Sequence, residues 1–308
     1  MRIVSYNVRY FGHGLKGLAS TAGAKTRIST AIASLKEPPD LVCLQEVETR
    51  SMRSRVAHRG GHAVETQLDA FMRHLRERLR SEGIRAGYEA WYFPAHTYGL
   101  GKVKLYTTGL AMLVNTDKLA VISGNHEAPH GVTHFGENTL RSAKQTRIVA
   151  HLHLEDPKGK KFHLFNTHLS LPSPFTTEFW KQKIKMGHGK NQLAEAKVLC
   201  DYVKAKSGGE PFLLGGDFNS APDSPVYRHL IDEAKLRGAQ EVLEQIDPKN
   251  PKGFSTAGFM NLRMHLDHLF GSGVHWRDLD DTCPFGDETG KFHGMSDHVP
   301  LIARFDLG

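Results

Sequence analysis

Short apolar segments recur along this chain, and most of them end in polar residues that can carry chemistry. Apolar runs of about four to eight residues suit buried β-strands better than helices. One such run, residues 211–214, leads into Gly215-Gly216-Asp217-Phe218-Asn219-Ser220. Residues two apart on an extended backbone project to the same side, so Asp217 and Asn219 are expected to face one point beyond the strand. Taken alone, the stretch could equally be a polar turn.

Segments with helical periodicity separate the apolar runs. Strands are predicted at 2–8 and 40–47, with a helix between them at 24–36, and this order indicates a layered α/β architecture. Further helices are predicted at 63–81, 191–206 and near 224–235. Residues 48–62 are expected to form an irregular surface loop. The later strands are predicted at 90–94, 110–115, 120–123, 147–154, 161–168, 266–270 and 299–305.

Composition is that of an ordinary soluble globular protein, with 39% hydrophobic and 24% charged residues among 308. We find no bilayer-spanning run, signal peptide, repeat or clear linker, so one domain over 1–308 and a cytoplasmic location are expected. A secreted protein without its signal would look the same. The 3 cysteines match no zinc or disulfide spacing, which is consistent with a reducing compartment. The net charge of +7 favours a polyanionic partner, nucleic acid or an anionic membrane.

Polar residues with metal-binding or acid–base character stand at the ends of several predicted strands. They are Asn7, Gln45-Glu46, Asn166-Thr167-His168, Asp217 with Asn219, His265 with Asp267 and His268, and Ser296-Asp297-His298. Open α/β sheets bind ligands at the ends of their strands. One polar strand end is commonplace, but a series of them in one chain indicates a shared site.

This ordered set of motifs resembles the endonuclease/exonuclease/phosphatase superfamily, which has the DNase I-like fold. The resemblance extends from residue 3 to residue 305, and it is specific because short motifs occur together and in order. It implies a four-layered α/β sandwich of two packed mixed β-sheets flanked by helices. It also implies hydrolysis of phosphate esters with a divalent cation, Mg²⁺ or Mn²⁺.

The residue types agree with that chemistry. Glu46, an isolated carboxylate after an apolar strand, is the best candidate metal ligand, and a surface glutamate is the alternative. The resemblance implies Asp297 as a second carboxylate at the metal and Asn7 as an amide beside it. It further implies that Asp217 orients the attacking water and that Asn219 holds the phosphate.

Two histidines are candidates for proton transfer. His298 is the candidate general base, since imidazole titrates near neutral pH, and the resemblance assigns Asp267 to hold its tautomer. His168 would bond a phosphate oxygen or help to protonate the leaving oxygen. The chain has 19 histidines, so an ordinary structural histidine is the alternative for each.

Five further residues are candidates for binding the substrate. Tyr106 lies in a segment that resembles a family glycine motif, although not quite in register, and Arg147 could reach the phosphate from the start of a strand. The basic loop contributes Lys181, Lys183 and Lys185. His268 stands where relatives often have an aromatic or hydrophobic residue, so it could add a contact or simply pack.

Three functions remain open at this point. The first is a nuclease that acts on DNA or RNA, favoured by the positive charge and the basic loop. The second is a sphingomyelinase-like phospholipase C or a phosphatase of inositol phosphates or other small esters. Phe175, Phe179 and Trp180 would then lie at a lipid headgroup surface, and packing under their own loop is the alternative for them. The third is a binding module without catalysis. No protein partner can be inferred, and a monomer is expected.

Overall fold

Two mixed β-sheets, packed face to face, form the centre of the molecule. The computed structural model describes residues 1–11, 22–50, 66–100, 103–134, 145–172, 185–243, 254–259, 262–279 and 282–308. The strands are β1 (Arg2–Asn7), β2 (Leu41–Arg50), β3 (Tyr88–Leu100), β4 (Val103–Asn115), β5 (Ala120–Gly124), β6 (His130–Gly131), β7 (Ile148–Glu155), β8 (Lys161–His168), β9 (Phe212–Asp217), β10 (Arg237–Gly238), β11 (Ala257–Phe259), β12 (Leu262–Met264), β13 (Asp267–Ser272), β14 (Val274–Leu279) and β15 (Leu301–Leu307).

The strand order brings the two parallel pairs to the middle of their sheets. The 6-stranded sheet has the order β14-β15-β1-β2-β4-β3, and the 7-stranded sheet has the order β10-β13-β9-β8-β7-β5, with β6 pairing to β7. β1 and β2 run parallel, as do β8 and β9. β11 and β12 form a separate hairpin.

The helices lie between strands in sequence, and the three longest cover the outer faces of the sheets. They are α1 (Ala22–Ala33), α2 (Gln67–Ser81), α3 (Lys190–Ser207), α4 (Pro225–Arg228) and α5 (Ala239–Val242), with a π-helical turn at His229–Glu233 and a 3₁₀ turn at Arg9–Phe11. α2 begins in a capping box, in which the Thr66 side chain accepts from the Asp69 N–H and the Asp69 carboxylate accepts from the Thr66 N–H. None of the described helices is long and apolar enough to cross a membrane.

Three apolar cores separate four layers. Ile28 and Phe71, from α1 and α2, pack against the outer face of the 6-stranded sheet. Leu199 of α3 packs against the outer face of the 7-stranded sheet, and residues such as Met112 and Leu164 fill the space between the sheets. Each such side chain contributes about 1.5–3 kcal/mol when fully buried. The four-layered sandwich expected from the sequence is confirmed.

Several predicted boundaries are wrong. β2 continues through 48–50, where it pairs with β4, so the expected loop does not begin at residue 48, and 51–62 lie outside the described residues. α2 begins at Gln67, since Thr66 caps it. The helix expected near 224–235 is a short α4 and a π-helical turn. β14, which alternates between buried and more exposed residues, was not predicted, nor were β6, β10 and the β11–β12 hairpin.

Candidate active site

The predicted strand ends meet at one edge of the sandwich. Asn7 ends β1, and Glu46 lies within β2, both in the 6-stranded sheet. His168 and Asp217 end the parallel strands β8 and β9 of the other sheet, where they are register partners. Antiparallel pairing then sets Asp267, the first residue of β13, opposite Asp217. His298 joins them just before β15, so the site draws on both sheets.

The carboxylate of Asp217 is the centre of this arrangement. Its Oδ2 atom accepts a hydrogen bond of 2.9 Å from the Asn7 amide, and it lies 3.5 Å from His168 Nε2 and 3.7 Å from His298 Nε2. Burial raises the pKa of Asp217 to about 7, with a further contribution from the charge of Asp267. A carboxylate with this pKa can both accept and release a proton near neutral pH.

His298 and Asp267 form a hydrogen-bonded pair. Nδ1 of His298 donates to Oδ2 of Asp267 at 2.8 Å, and Asp267 is fully buried. Burial disfavours the charged imidazole, but Asp267 and Asp217 outweigh it and raise the pKa of His298 to about 10. The ring therefore carries both protons at pH 7, and it lies as a cation between two carboxylates.

The backbone of Glu46 aims its side chain into the site. Glu46 has a left-handed φ of 55° and lies where the β2–β4 pairing shifts register between Leu44 and Val47. Such a bulge re-aims a side chain that regular alternation would direct elsewhere. Glu46 Oε1 lies 3.4 Å from the Asn7 amide nitrogen and 3.9 Å from His168 Nε2. Burial raises the pKa of Glu46, and the nearby Asp297 raises it further.

The donor set near Glu46 fits a hard divalent cation. The raised pKa of Glu46 arises partly from the charge of Asp297, and a cation bound by both carboxylates would offset that repulsion. In this structure Arg9 Nη1 forms an ion pair with Asp297 Oδ2 at 2.5 Å. Asn7 directs its amide nitrogen to the carboxylates, and its oxygen accepts the Arg9 N–H at 3.0 Å. Direct metal binding by Asn7 therefore stays a prediction.

Asn219 lies beside Asp217 in a strained turn. It has φ 48°, and its N–H donates to Asp217 Oδ1 at 2.9 Å. Its side-chain nitrogen donates to the carbonyl of Leu169 at 2.9 Å, so this amide holds the turn in place. Phosphate holding by Asn219 also stays a prediction. His168 is buried, and burial, Arg147 and His298 lower its pKa well below the usual value, so it is a neutral hydrogen-bonding group.

The predicted substrate-binding residues have different placements. Arg147 is buried in a small pocket with Glu46 and His168, and its Nε has no hydrogen-bond partner among the described residues, which suits the guanidinium to an incoming anion. Tyr106 lies on β4, and its side chain is outside the described part of the chain. Lys185 is exposed, with its Nζ 4.0 Å from Asp223. Lys181, Lys183, Phe175, Phe179 and Trp180 lie outside the described residues.

Sequence reasoning missed the residues that join the two sheets under the site. Gln45 Nε2 donates to Asn166 Oδ1 at 2.8 Å, and Asn166 Nδ2 donates to the Leu44 carbonyl at 3.0 Å. Both amides belong to the motifs that carry the family resemblance. That position in the sequence is the signal that could have identified their role. His268 packs between Phe218 and Tyr227 and bonds the Ser220 carbonyl at 2.8 Å, which makes it a packing residue.

A second opening lies on the Asp297 side of the site. This cleft, of about 470 Å³, is lined by Arg9 and Asp297 and extends to Arg263, Phe285 and His293. The Arg263 guanidinium lies over the Phe285 ring, 5.2 Å from its centroid. The site thus borders a small pocket beside Glu46 and His168 and a much larger cleft beside Asp297.

Comparison with solved structures finds the same fold in each of the three proteins that follow. The human Nocturnin catalytic domain, with bound sulfate, is 20% identical with a TM-score of 0.63, and the match covers 100% of this chain and 93% of that one. A mannosyl-6-phosphatase, Bt3783 of Bacteroides thetaiotaomicron VPI-5482, is 17% identical with a TM-score of 0.61, and both chains are covered over 100%. ANGEL2, a 2′,3′-cyclic phosphatase, is 16% identical with a TM-score of 0.62, over 99% of this chain and 94% of that one.

Sequence comparison identifies the family. No curated protein matches the chain. The sequence profile described as "Endonuclease/Exonuclease/phosphatase family" matches residues 4–298, which include every strand end that contributes to the site. Together with the shared fold, this match shows that the chain belongs to the endonuclease/exonuclease/phosphatase family and is an enzyme that hydrolyses phosphoesters.

Proposed function

We propose that this enzyme is a Mg²⁺- or Mn²⁺-dependent phosphodiesterase that cleaves nucleic acid, either DNA or RNA. The observation that carries the proposal is the cleft of about 470 Å³ that opens from the site beside Asp297. A phosphodiester has a substituent on each side of its phosphorus, and this cleft has room for one of them, whereas the pocket that contains Arg147 is small. The cleft beside Asp297 offers Arg9, Arg263 and Phe285, a combination that suits backbone phosphates and base stacking. The net charge of +7 favours the same class of substrate.

Each group of residues at the site has its own role in the proposed reaction. Glu46 and Asp297 would hold the divalent cation, which supplies charge stabilisation for the phosphoryl oxygens. Arg147 and the neutral His168 bind non-bridging oxygens from the side of the small pocket. One water can bond both Asp217 and His298, whose facing atoms are 3.7 Å apart. Attack of this water on phosphorus breaks the bond to the leaving oxygen.

The proton of the attacking water goes to the Asp217–His298 pair. The pKa of His298 is raised to about 10, so this ring is already protonated at pH 7, whereas the pKa of Asp217 is raised to about 7. Two groups this close titrate as a unit, and their apparent pKa values belong to the pair. We therefore assign the base role to the pair, with Asp267 fixing the ring, and not to His298 alone.

A substrate panel tests the proposal. Single- and double-stranded DNA, RNA, bis-p-nitrophenyl phosphate, p-nitrophenyl phosphate, sugar phosphates, inositol phosphates and sphingomyelin are each incubated with the protein and Mg²⁺ or Mn²⁺. We expect cleavage of oligonucleotides and of the bis-ester, both abolished in Asp217→Asn. Hydrolysis of monoesters alone, or no cleavage of any oligonucleotide with either metal, would reject the nuclease proposal.

A phosphomonoesterase is the second candidate. It is favoured by the narrowness of the pocket that contains Arg147 and by the similarity in fold to a mannosyl-6-phosphatase. The lipid alternative depends on aromatic residues outside the described part of the chain. A binding module without catalysis would not need the buried Asp267–His298 pair, whose desolvation is costly.

A further inference from the structure

A second cluster of metal-binding residue types lies at the other end of β8 from the candidate active site. Nε2 of His153 and Nε2 of His163 lie 2.9 Å and 3.0 Å from the same oxygen, Oε2 of Glu210. His163 and His168 are five positions apart on β8, which is about 17 Å along a strand at about 3.4 Å per residue. The cluster is therefore separate from the groups that contact Asp217.

Sheet register holds the two imidazoles in place. His153 on β7 and His163 on β8 are directly paired across the antiparallel strands. Their rings stack with centroids 4.3 Å apart and planes 4° from parallel, and both present Nε2 to Glu210. Glu210 stands in the short connection between α3 and β9. The cluster thus joins β7, β8 and the connection that leads into β9.

A third histidine, His151, contacts the ring nitrogen of His163 that does not face Glu210. Nε2 of His151 lies 2.8 Å from Nδ1 of His163. When Nδ1 of His163 donates to His151, the lone pair of His163 Nε2 points at the Glu210 carboxylate. A cation between them would be bound by both groups. A metal-binding histidine usually donates its other ring N–H to such a neighbour, which fixes the tautomer.

We propose that His153, His163 and Glu210 form a zinc-binding site. Two imidazole nitrogens and one carboxylate are a common ligand set for Zn²⁺, and a water completes the tetrahedron. The ligand atoms all lie within 4.8 Å of one another, which accommodates bonds of about 2.0–2.2 Å after a small adjustment. Glu210 and His153 are partly exposed, with side chains 42% and 20% accessible, so the ion and its water can enter.

The site has a structural role in this proposal. Zn²⁺ at these residues would tie β7 and β8 to the connection that leads into β9, whose far end carries Asp217. The cation of Lys206 lies near the cluster, with its Nζ 5.8 Å from the centroid of the Tyr202 ring that contacts His151, and it opposes a second positive charge. We therefore expect moderate affinity and an increase in thermal stability when the ion binds.

Zinc titration tests the proposal in a background that lacks Glu46, the candidate metal ligand of the active site. The Glu46→Gln protein, stripped with a chelator and kept in excess Mg²⁺, is titrated with ZnCl₂ by calorimetry, and bound zinc is counted by elemental analysis. We expect one zinc per chain and a rise in melting temperature. Adding Glu210→Gln or His153→Gln should weaken zinc binding by at least about 10-fold and remove the thermal shift.

The chain offers a matched control. His229 and Glu233 form a pair at 2.8 Å on an exposed helical turn, and no third ligand accompanies them among the described residues. Glu233→Gln should leave zinc binding unchanged. Zinc binding that is equal in Glu46→Gln and in both added variants, or absent from Glu46→Gln, would overturn the proposal. Circular dichroism verifies folding, and His153→Gln suffices if Glu210→Gln does not fold.

Discussion

Replacing Asp267 with Asn tests the electrostatic arrangement of the site most directly. The side chain keeps its shape and can still accept the 2.8 Å hydrogen bond from His298 Nδ1, so the ring should stay in place. Only the negative charge is lost. In the wild type, Asp267 is the largest contribution that raises the pKa of His298. In Asp267→Asn this pKa should fall by about 1 to 3.

The magnitude follows from the separation of the charges. Two unit charges about 4 Å apart interact by about 4 kcal/mol at an effective dielectric constant of about 20. Since each 1.36 kcal/mol corresponds to about a tenfold change in rate, loss of this interaction in the transition state would lower kcat/KM by up to about 10³-fold. We expect a decrease of about 10²- to 10³-fold at pH 7.

Two measurements check this prediction. The pH dependence of kcat/KM gives the rate and the apparent pKa values of the pair, and NMR titration follows the His298 ring directly. Asp306→Asn is the control, since Asp306 pairs with Arg277 at 2.7 Å on the surface and should leave the rate unchanged. A rate for Asp267→Asn within about tenfold of wild type, or an unshifted His298 titration, would refute the reasoning.

Three further predictions concern the metal, the backbone and pH. Glu46→Gln should weaken Mg²⁺ binding in calorimetry and lower the metal-dependent rate by about 10³-fold or more, whereas Glu77→Gln on the surface of α2 should change neither. Gly216→Ala should cost about 1–3 kcal/mol in urea unfolding because a Cβ would meet the Thr167 carbonyl at 2.3 Å, whereas Gly131→Ala, with open space around it, should cost less than about 0.5 kcal/mol. The pKa of His298 is raised in the folded state, so its stabilisation is complete below pH 6.5 and is lost as pH rises towards 10. The unfolding free energy of wild type should therefore exceed that of His298→Gln by more at pH 6.5 than at pH 10, and equal differences would contradict this.

The sequence was most informative where chemistry depends on residues close together in the chain. Asp217 and Asn219 are two residues apart, and Asp297 and His298 are adjacent, so local patterns identified them. What they contact depends on pairings between distant segments. Asp217 receives its hydrogen bond from Asn7, 210 residues away in the chain, and no periodicity reports such a distance.

Other features require the register of the sheets. The bulge that turns Glu46 inward exists only because β2 pairs out of step with β4, and that register is a property of the pairing between the two strands. The proton held by His298 depends on two carboxylates from the opposite sheet. His153 and His163 are 10 residues apart and in no motif, so their pairing became visible only in the structure.

The division of the site between two sheets has a mechanical consequence. No backbone hydrogen-bond ladder joins the two sheets in the described residues, so side-chain packing and a few bonds such as Gln45–Asn166 set their spacing. The gap between the proposed metal-binding carboxylate of Glu46 and the proposed water-orienting carboxylate of Asp217 is therefore a property of the core between the layers. Selection for catalysis must act on that core as well, because a loosely filled interior would leave the protein folded but its two half-sites misaligned.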